Sequence, residues 1–222
     1  MSLADRIRIL DVRTLSNDWY VLKKTTFEWR RTDGTWQTLS RETYNRGNGA
    51  TLLPFDPNRR TVLLTRQFRY PAYVNGHDAL LIEAAAGLLD GESPEDRIRI
   101  EVEEELGLRI RDVRRIFACF MSPGSVTERL HFFVGQYDAS MRTGAGGGRA
   151  DEGEEIEVLE PSIEDALRMI ESGLICDGKT VMLLQYAALN LFPRTACAES
   201  GHGERRHPLG LAGGEGKCIP EA

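Results

Sequence analysis

Gly87-Leu-Leu-Asp-Gly-Glu92-Ser-Pro-Glu-Asp-Arg-Ile-Arg-Ile-Glu101-Val-Glu-Glu104-Glu105-Leu-Gly107-Leu108 is the stretch on which the reading of this chain turns. Its second half predicts one helix with both ends marked. Ser93 is a good N-cap, Pro94 suits the first turn, and Glu95 and Asp96 favour the positive helix start. Asp96, three residues after Ser93, completes an approximate capping box. Gly107 is the natural stop. Ile98, Val102 and Leu106 recur every four residues as an apolar stripe. Glu101, Glu104 and Glu105 stand at i, i+3 and i+4, so three carboxylates share one face. Like charges so placed cost roughly 0.2–0.5 kcal/mol per pair in an isolated helix. A bound cation reverses that sign, and oxygen-only ligands favour a hard ion such as Mg2+. Taken alone, the carboxylates read more plainly as a solvated acidic face.

The full pattern points further. It resembles the Nudix box, Gly-x5-Glu-x7-Arg-Glu-U-x-Glu-Glu-x-Gly-U with U aliphatic. Gly87, Glu92, Glu101, Val102, Glu104, Glu105, Gly107 and Leu108 match in order. There are two departures. The gap between Gly87 and Glu92 is one residue short, and Ile100 stands where the family has an arginine that helps to hold the glutamates. Arg97 and Arg99 are near, but are read as pointing elsewhere on the helix. Further segments carry the resemblance over residues 6–192, to the GDP-mannose pyrophosphatase branch of these hydrolases, near the ADP-ribose pyrophosphatases. They are Arg41 through Thr51, Arg66-Gln-Phe-Arg69, Leu81 through Gly87, Met121 through Phe133, and Asp177-Gly-Lys179-Thr-Val. The resemblance implies an α/β fold, a Nudix-type α/β/α sandwich with a mixed sheet and an N-terminal antiparallel β arm. The implied reaction is Mg2+-dependent hydrolysis of a nucleoside-diphosphate sugar, GDP-mannose giving GMP and mannose 1-phosphate. An ADP-ribose pyrophosphatase and a catalytically weak nucleotide-binding regulatory module are the competing readings; Ile100 and the short gap motivate the second.

Composition sets outer bounds. The 222 residues are 41% hydrophobic, enough for a globular core. A net charge of −6 and a pI near 5.4 argue against a general binder of nucleic acid or membrane surface. Cys119, Cys176, Cys197 and Cys218 are widely spaced, so neither disulfides nor a cysteine zinc site is expected. Without a signal peptide or long apolar run, a cytoplasmic protein is the default expectation. The Walker phosphate loop is missing, which excludes a P-loop ATPase.

Along the chain, residues 1–46 read as a β arm. Val21-Leu-Lys-Lys-Thr-Thr-Phe27-Glu-Trp29 is rich in strand formers, and Asp33-Gly34 supplies a hairpin turn. Related pyrophosphatases exchange such an arm with a second subunit, which implies a homodimer. Residues 47–192 form the predicted core. Short strands are expected at Thr61 to Thr65, Leu80 to Ile82, Val113 to Phe120, His131 to Val134 and Ile156 to Leu159. Helices are expected after Ser162 and Asp177. Gly144-Ala-Gly-Gly-Gly148 reads as a flexible loop, and residues 193–222 lose periodicity and are predicted to be disordered.

Resemblance also distributes the chemistry. Glu101, Glu105 and the Ala86 carbonyl are the implied metal ligands, with Glu104 as a ligand or bridging partner. Glu154, with Glu152 in reserve, is the loop carboxylate that assists the attacking water. Arg69 matches a phosphate-contacting arginine, and its planar fork suits bidentate contact. Arg46 is a phosphate or ribose candidate, Lys179 a phosphate candidate, and Phe27 or Trp29 a base-stacking candidate across a dimer interface.

Overall fold

The computed structural model describes residues 2–149, 151 and 153–192. Glu152 and the predicted tail from residue 193 lie outside the described residues.

The arm is a three-stranded antiparallel sheet of β1 (Ile7–Asn17), β2 (Val21–Arg30) and β3 (Trp36–Asn45), in that order. Asp33 and Gly34 do turn the chain between β2 and β3: Gly34 has φ +87°, and the Asp33 carboxylate accepts from the Thr35 N–H at 2.9 Å. The β1–β2 turn, residues 18–20, carries Trp19 and Tyr20. β1 is an edge strand whose Ile9, Leu10, Val12 and Leu15 are all exposed.

The core opens with β4 (Gly49–Asp56), β5 (Thr61–Val62) and β6 (Leu64–Gln67), followed by the single-turn helix α1 (Tyr70–Val74). Next come β7 (Leu81–Glu83), β8 (Ala85–Leu88), the carboxylate helix α2 (Pro94–Leu106), β9 (Val113–Phe120) and β10 (Arg129–Gln136). β11 (Glu157–Leu159), α3 (Ile163–Glu171) and α4 (Gly178–Asn190) close it. The central sheet runs β5-β4-β10-β9, with β8 also paired to β4; only β4 and β10 are parallel, so the sheet is mixed. A smaller antiparallel sheet runs β11-β6-β7.

Two hydrophobic clusters make this a sandwich. Ile98, Val102 and Leu106 of α2 pack with Ala50, Leu52 and Phe133 on one face. Leu183, Leu184 and Ala187 of α4 and Ile163 and Ala166 of α3 pack with Leu53, Phe132 and Val134 on the other. Adjacent residues of β4 and of β10 thus serve opposite clusters, as the period of a strand requires. β4 was not legible as a strand: it is buried on both faces, so it carries no alternation of polar and apolar residues, and Pro54 further masks it. The caps behave as expected, the Ser93, Ser162 and Asp177 side chains accepting from Asp96, Asp165 and Thr180 N–H groups. Cys119 and Cys176 are free thiols, and no helix among the described residues is long and apolar enough to cross a membrane.

Candidate active site

A cleft of about 1180 Å³ opens between β6, β8, α2 and the loop before β11. Glu101, Glu104, Glu105, Ala86, Arg69, Arg46 and Glu154 all line it. Seven of the residues proposed from sequence therefore meet in one place. Lys179 lines an adjoining hollow of about 850 Å³ that shares Trp19, Arg46, Arg69 and Gly87 with the first. Phe27 does not line either one; it lies mid-strand in the arm, paired with Ile9 and Leu39.

The helix turns Glu101 and Glu105 inward, where both are buried, while Glu104 stays partly exposed. Burial, helped by neighbouring Glu101, Glu154 and Glu83 and opposed by Arg69, pushes the Glu105 carboxyl up to about 8. Burial pushes Glu101 up to about 7 even though Arg97 pulls the other way. One oxygen of Glu105, Oε2, is buried with no hydrogen-bond partner. Gly87 explains how Glu101 fits: a Cβ at residue 87 would overlap the Glu101 carboxylate. Among the described residues, no three acidic, thiol or imidazole groups already converge as a closed metal cluster. The arrangement is an open one. An orphaned buried carboxylate oxygen, beside a second buried carboxylate and facing Glu154, is a donor set suited to a hard divalent cation.

Arg97 corrects the sequence reading. It does not point away from the glutamates; its guanidinium pairs with the Glu101 carboxylate.

Opposite α2 is a second charged cluster that motif reasoning passed over. Glu83, at the end of β7, is buried and grips two cations: Arg69 Nε donates to its Oε2 at 2.7 Å, and Lys179 Nζ donates to Oε1. Lys179 also lies 3.0 Å from Asp177. Burial alone would lower the Arg69 pKa, but Glu83, with Glu105 and Glu154 behind it, holds it above its ordinary value. Arg46 lies 3.5 Å from Glu128 and 5.7 Å from the Tyr20 ring. Trp19, at 83% exposure, stands over the rim beside Tyr20. The turn residues Asn17-Asp18 just before it were the one sequence signal for its position.

The glycine run is a clasp. The Gly147 N–H donates to the Glu105 carbonyl at 3.0 Å and the Gly148 N–H to the Glu104 carbonyl at 3.2 Å, so the run caps the C-terminal end of α2. A side chain at Gly146 would overlap the Glu105 carbonyl, and its φ of +72° already favours glycine. The chain then returns through Glu154, whose carboxylate accepts from the Arg149 N–H at 2.8 Å, and the Ile156 N–H closes onto the Gly147 carbonyl at 3.2 Å.

A NUDIX domain model matches residues 45–175, and a model for the GDP-mannose pyrophosphatase NudK N-terminal domain matches residues 6–44. The chain belongs to the Nudix hydrolase family, whose members generally use divalent metal cations. Curated relatives are close. It is 48% identical over 188 residues to the GDP-mannose pyrophosphatase of Pectobacterium atrosepticum, covering 84% of this chain and 96% of that one. It is 49% identical over 181 residues to the GDP-mannose pyrophosphatase of Klebsiella pneumoniae, covering 81% and 90%. The crystal structure of an ADP compounds hydrolase shares the fold, with a TM-score of 0.62 at 18% identity over 81% of this chain and 91% of that one.

The raised carboxylates have a consequence for stability. Without metal, Glu101 and Glu105 keep their protons in the folded state up to about 7 and 8, whereas the unfolded chain releases them near 4.5. Between those values the folded state binds more protons, so stability falls as pH rises. In chelator the melting temperature should decline from pH 5 to pH 8, and added Mg2+ should offset the decline. A flat or rising profile in chelator would contradict the burial of these two groups.

Proposed function

We propose that the protein hydrolyses GDP-mannose to GMP and mannose 1-phosphate with Mg2+. The observation that carries the hydrolytic reading is the cleft, which sets two buried carboxylates and a facing loop glutamate against Arg69, with Lys179 in the adjoining hollow; the choice of GDP-mannose follows the similar enzymes. When bound, the cation supplies charge neutralisation of the diphosphate and makes a nucleophilic water available at neutral pH. Glu101 and Glu105, with the Ala86 carbonyl, would hold it, and Glu104 would support them from the same face. Glu154 accepts the proton of the attacking water. The new P–O bond forms as the bridging P–O bond breaks, and the proton passes to the leaving phosphate. Arg69 and Lys179, fixed by Glu83, hold the diphosphate and stabilise its growing charge. Arg46 serves the adjoining phosphate or ribose.

Within one chain, Trp19 and Tyr20 line the cleft and supply a platform for the base. Trp19→Ala should raise KM about tenfold with little change in kcat, since base–aromatic stacking is worth about 1–3 kcal/mol. An unchanged KM would remove Trp19 from the site. The protein is further proposed to act as a cytoplasmic homodimer. The exposed apolar residues of the β1 edge are the support for a second copy there.

The test is product-resolved hydrolysis of a nucleotide-sugar panel with Mg2+ and with chelator. Chelator-sensitive conversion of GDP-mannose, faster than that of ADP-ribose, is the expected result. Preference for ADP-ribose would move the substrate, and no turnover would overturn the reading.

A further inference from the structure

Glu101 has a cationic partner in an unusual place. The residue just before it, Ile100, is apolar and 39% exposed, where the family pattern has arginine. One helical turn earlier Arg97 pairs with Glu101, its side chain only 21% exposed at the wall of the cleft. Nothing about helix stability favours an arginine there. It falls in the first half of α2, where the helix dipole prefers acids. The pair also runs cation-first, the weaker order for an i, i+4 contact. The pair is nonetheless made, with the Glu101 carboxylate set between Arg97 and the Cβ-free face of Gly87.

We propose that Arg97 is the positioning residue for Glu101, replacing from four residues upstream the arginine that Ile100 displaced. An i−4 side chain lies on the same helix face as Glu101 and reaches it along the axis, whereas one at i−1 must reach around the helix. The inference rests on the assignment of Glu101 and Glu105 to a divalent cation, and it adds that this chain's site depends on Arg97.

The experiment is Mn2+ binding, followed by electron paramagnetic resonance and by calorimetry with Mg2+, on four forms: wild type, Arg97→Ala, Arg97→Lys, and Arg97→Ala combined with Ile100→Arg. Loss of a group that orients a metal ligand typically weakens metal affinity by about 10–100-fold. Arg97→Ala should show that loss and a matching fall in kcat, with its circular dichroism spectrum unchanged. Arg97→Lys should recover part of the affinity. The double variant, which returns the guanidinium to the family position, should recover most of it. If Arg97→Ala binds metal as tightly as wild type, or more tightly, Arg97 is not positioning Glu101 and the proposal fails. If the single loss occurs but a folded double variant recovers nothing, the replacement of one arginine by the other is refuted. Wild type that binds neither ion would instead sink the cation site, and Arg97's role with it.

Discussion

Glu105→Gln is expected to lower kcat by about a thousandfold, equivalent to about 4 kcal/mol of barrier. Glutamine keeps the shape of the side chain and removes the charge that a divalent cation needs. The same substitution should act on stability in the opposite direction. Glu105 is buried, its Oε2 has no partner, and its carboxyl is pushed up to about 8. In chelator at pH 8 the variant should melt a few degrees above wild type, because the cost of an ionised buried carboxylate is gone. With saturating Mg2+ the order should reverse, since only the wild type gains the binding free energy. Turnover close to wild type would remove Glu105 from the site. A metal-free variant less stable than wild type would show that the burial argument is wrong.

Gly87→Ala separates geometry from charge. The atoms that a Cβ would meet are the outer atoms of the Glu101 side chain, not backbone. The fold can yield by swinging that side chain aside, so the melting temperature in chelator should change little. The group that moves, however, is a ligand candidate. A displacement on the order of 1 Å at a reacting centre can cost about a hundredfold, and a fall of that size in kcat is expected. Activity within about threefold of wild type would mean that Glu101 is not held where the structure places it. Circular dichroism and Mn2+ titration on the same sample distinguish misplacement from misfolding.

The sequence was most legible where one local rule acted alone. α2 could be bounded from Ser93, Pro94 and Gly107, and its carboxylates assigned to one face, because caps and helical period depend on neighbours in the chain. α3 and α4 were legible for the same reason. β4 was not, since burial on both faces erases the period-two signal. In the site, Glu101 and Glu105 came from motif order, and Arg69 and Glu154 from segments beyond the box that match related enzymes. Glu83 was quoted within a motif but not recognised as the clasp of Arg69 and Lys179, which lie 14 and 96 residues away from it. Arg97 was misread because the relevant question was which side chain reaches Glu101 in space. Trp19 was missed because an exposed aromatic on a turn acquires meaning only when the arm is seen folded beside the cleft. The glycine run was read as slack, although its small residues are what let the backbone approach the end of α2.

That clasp also bears on how related chains can diverge. The rungs joining Arg149 with Glu154 and Gly147 with Ile156 hold the two ends of the segment between them together, as a closed neck. Lengthening a loop whose ends are held together costs only about 0.6 kcal/mol per doubling. Insertions and deletions at residues 150–153 should therefore accumulate freely between homologues. The count of residues from Glu154 to Ile156 should not drift, because it sets where the carboxylate lands. Alignments anchored on the neck would pair the loop glutamates correctly even where the tips differ in length.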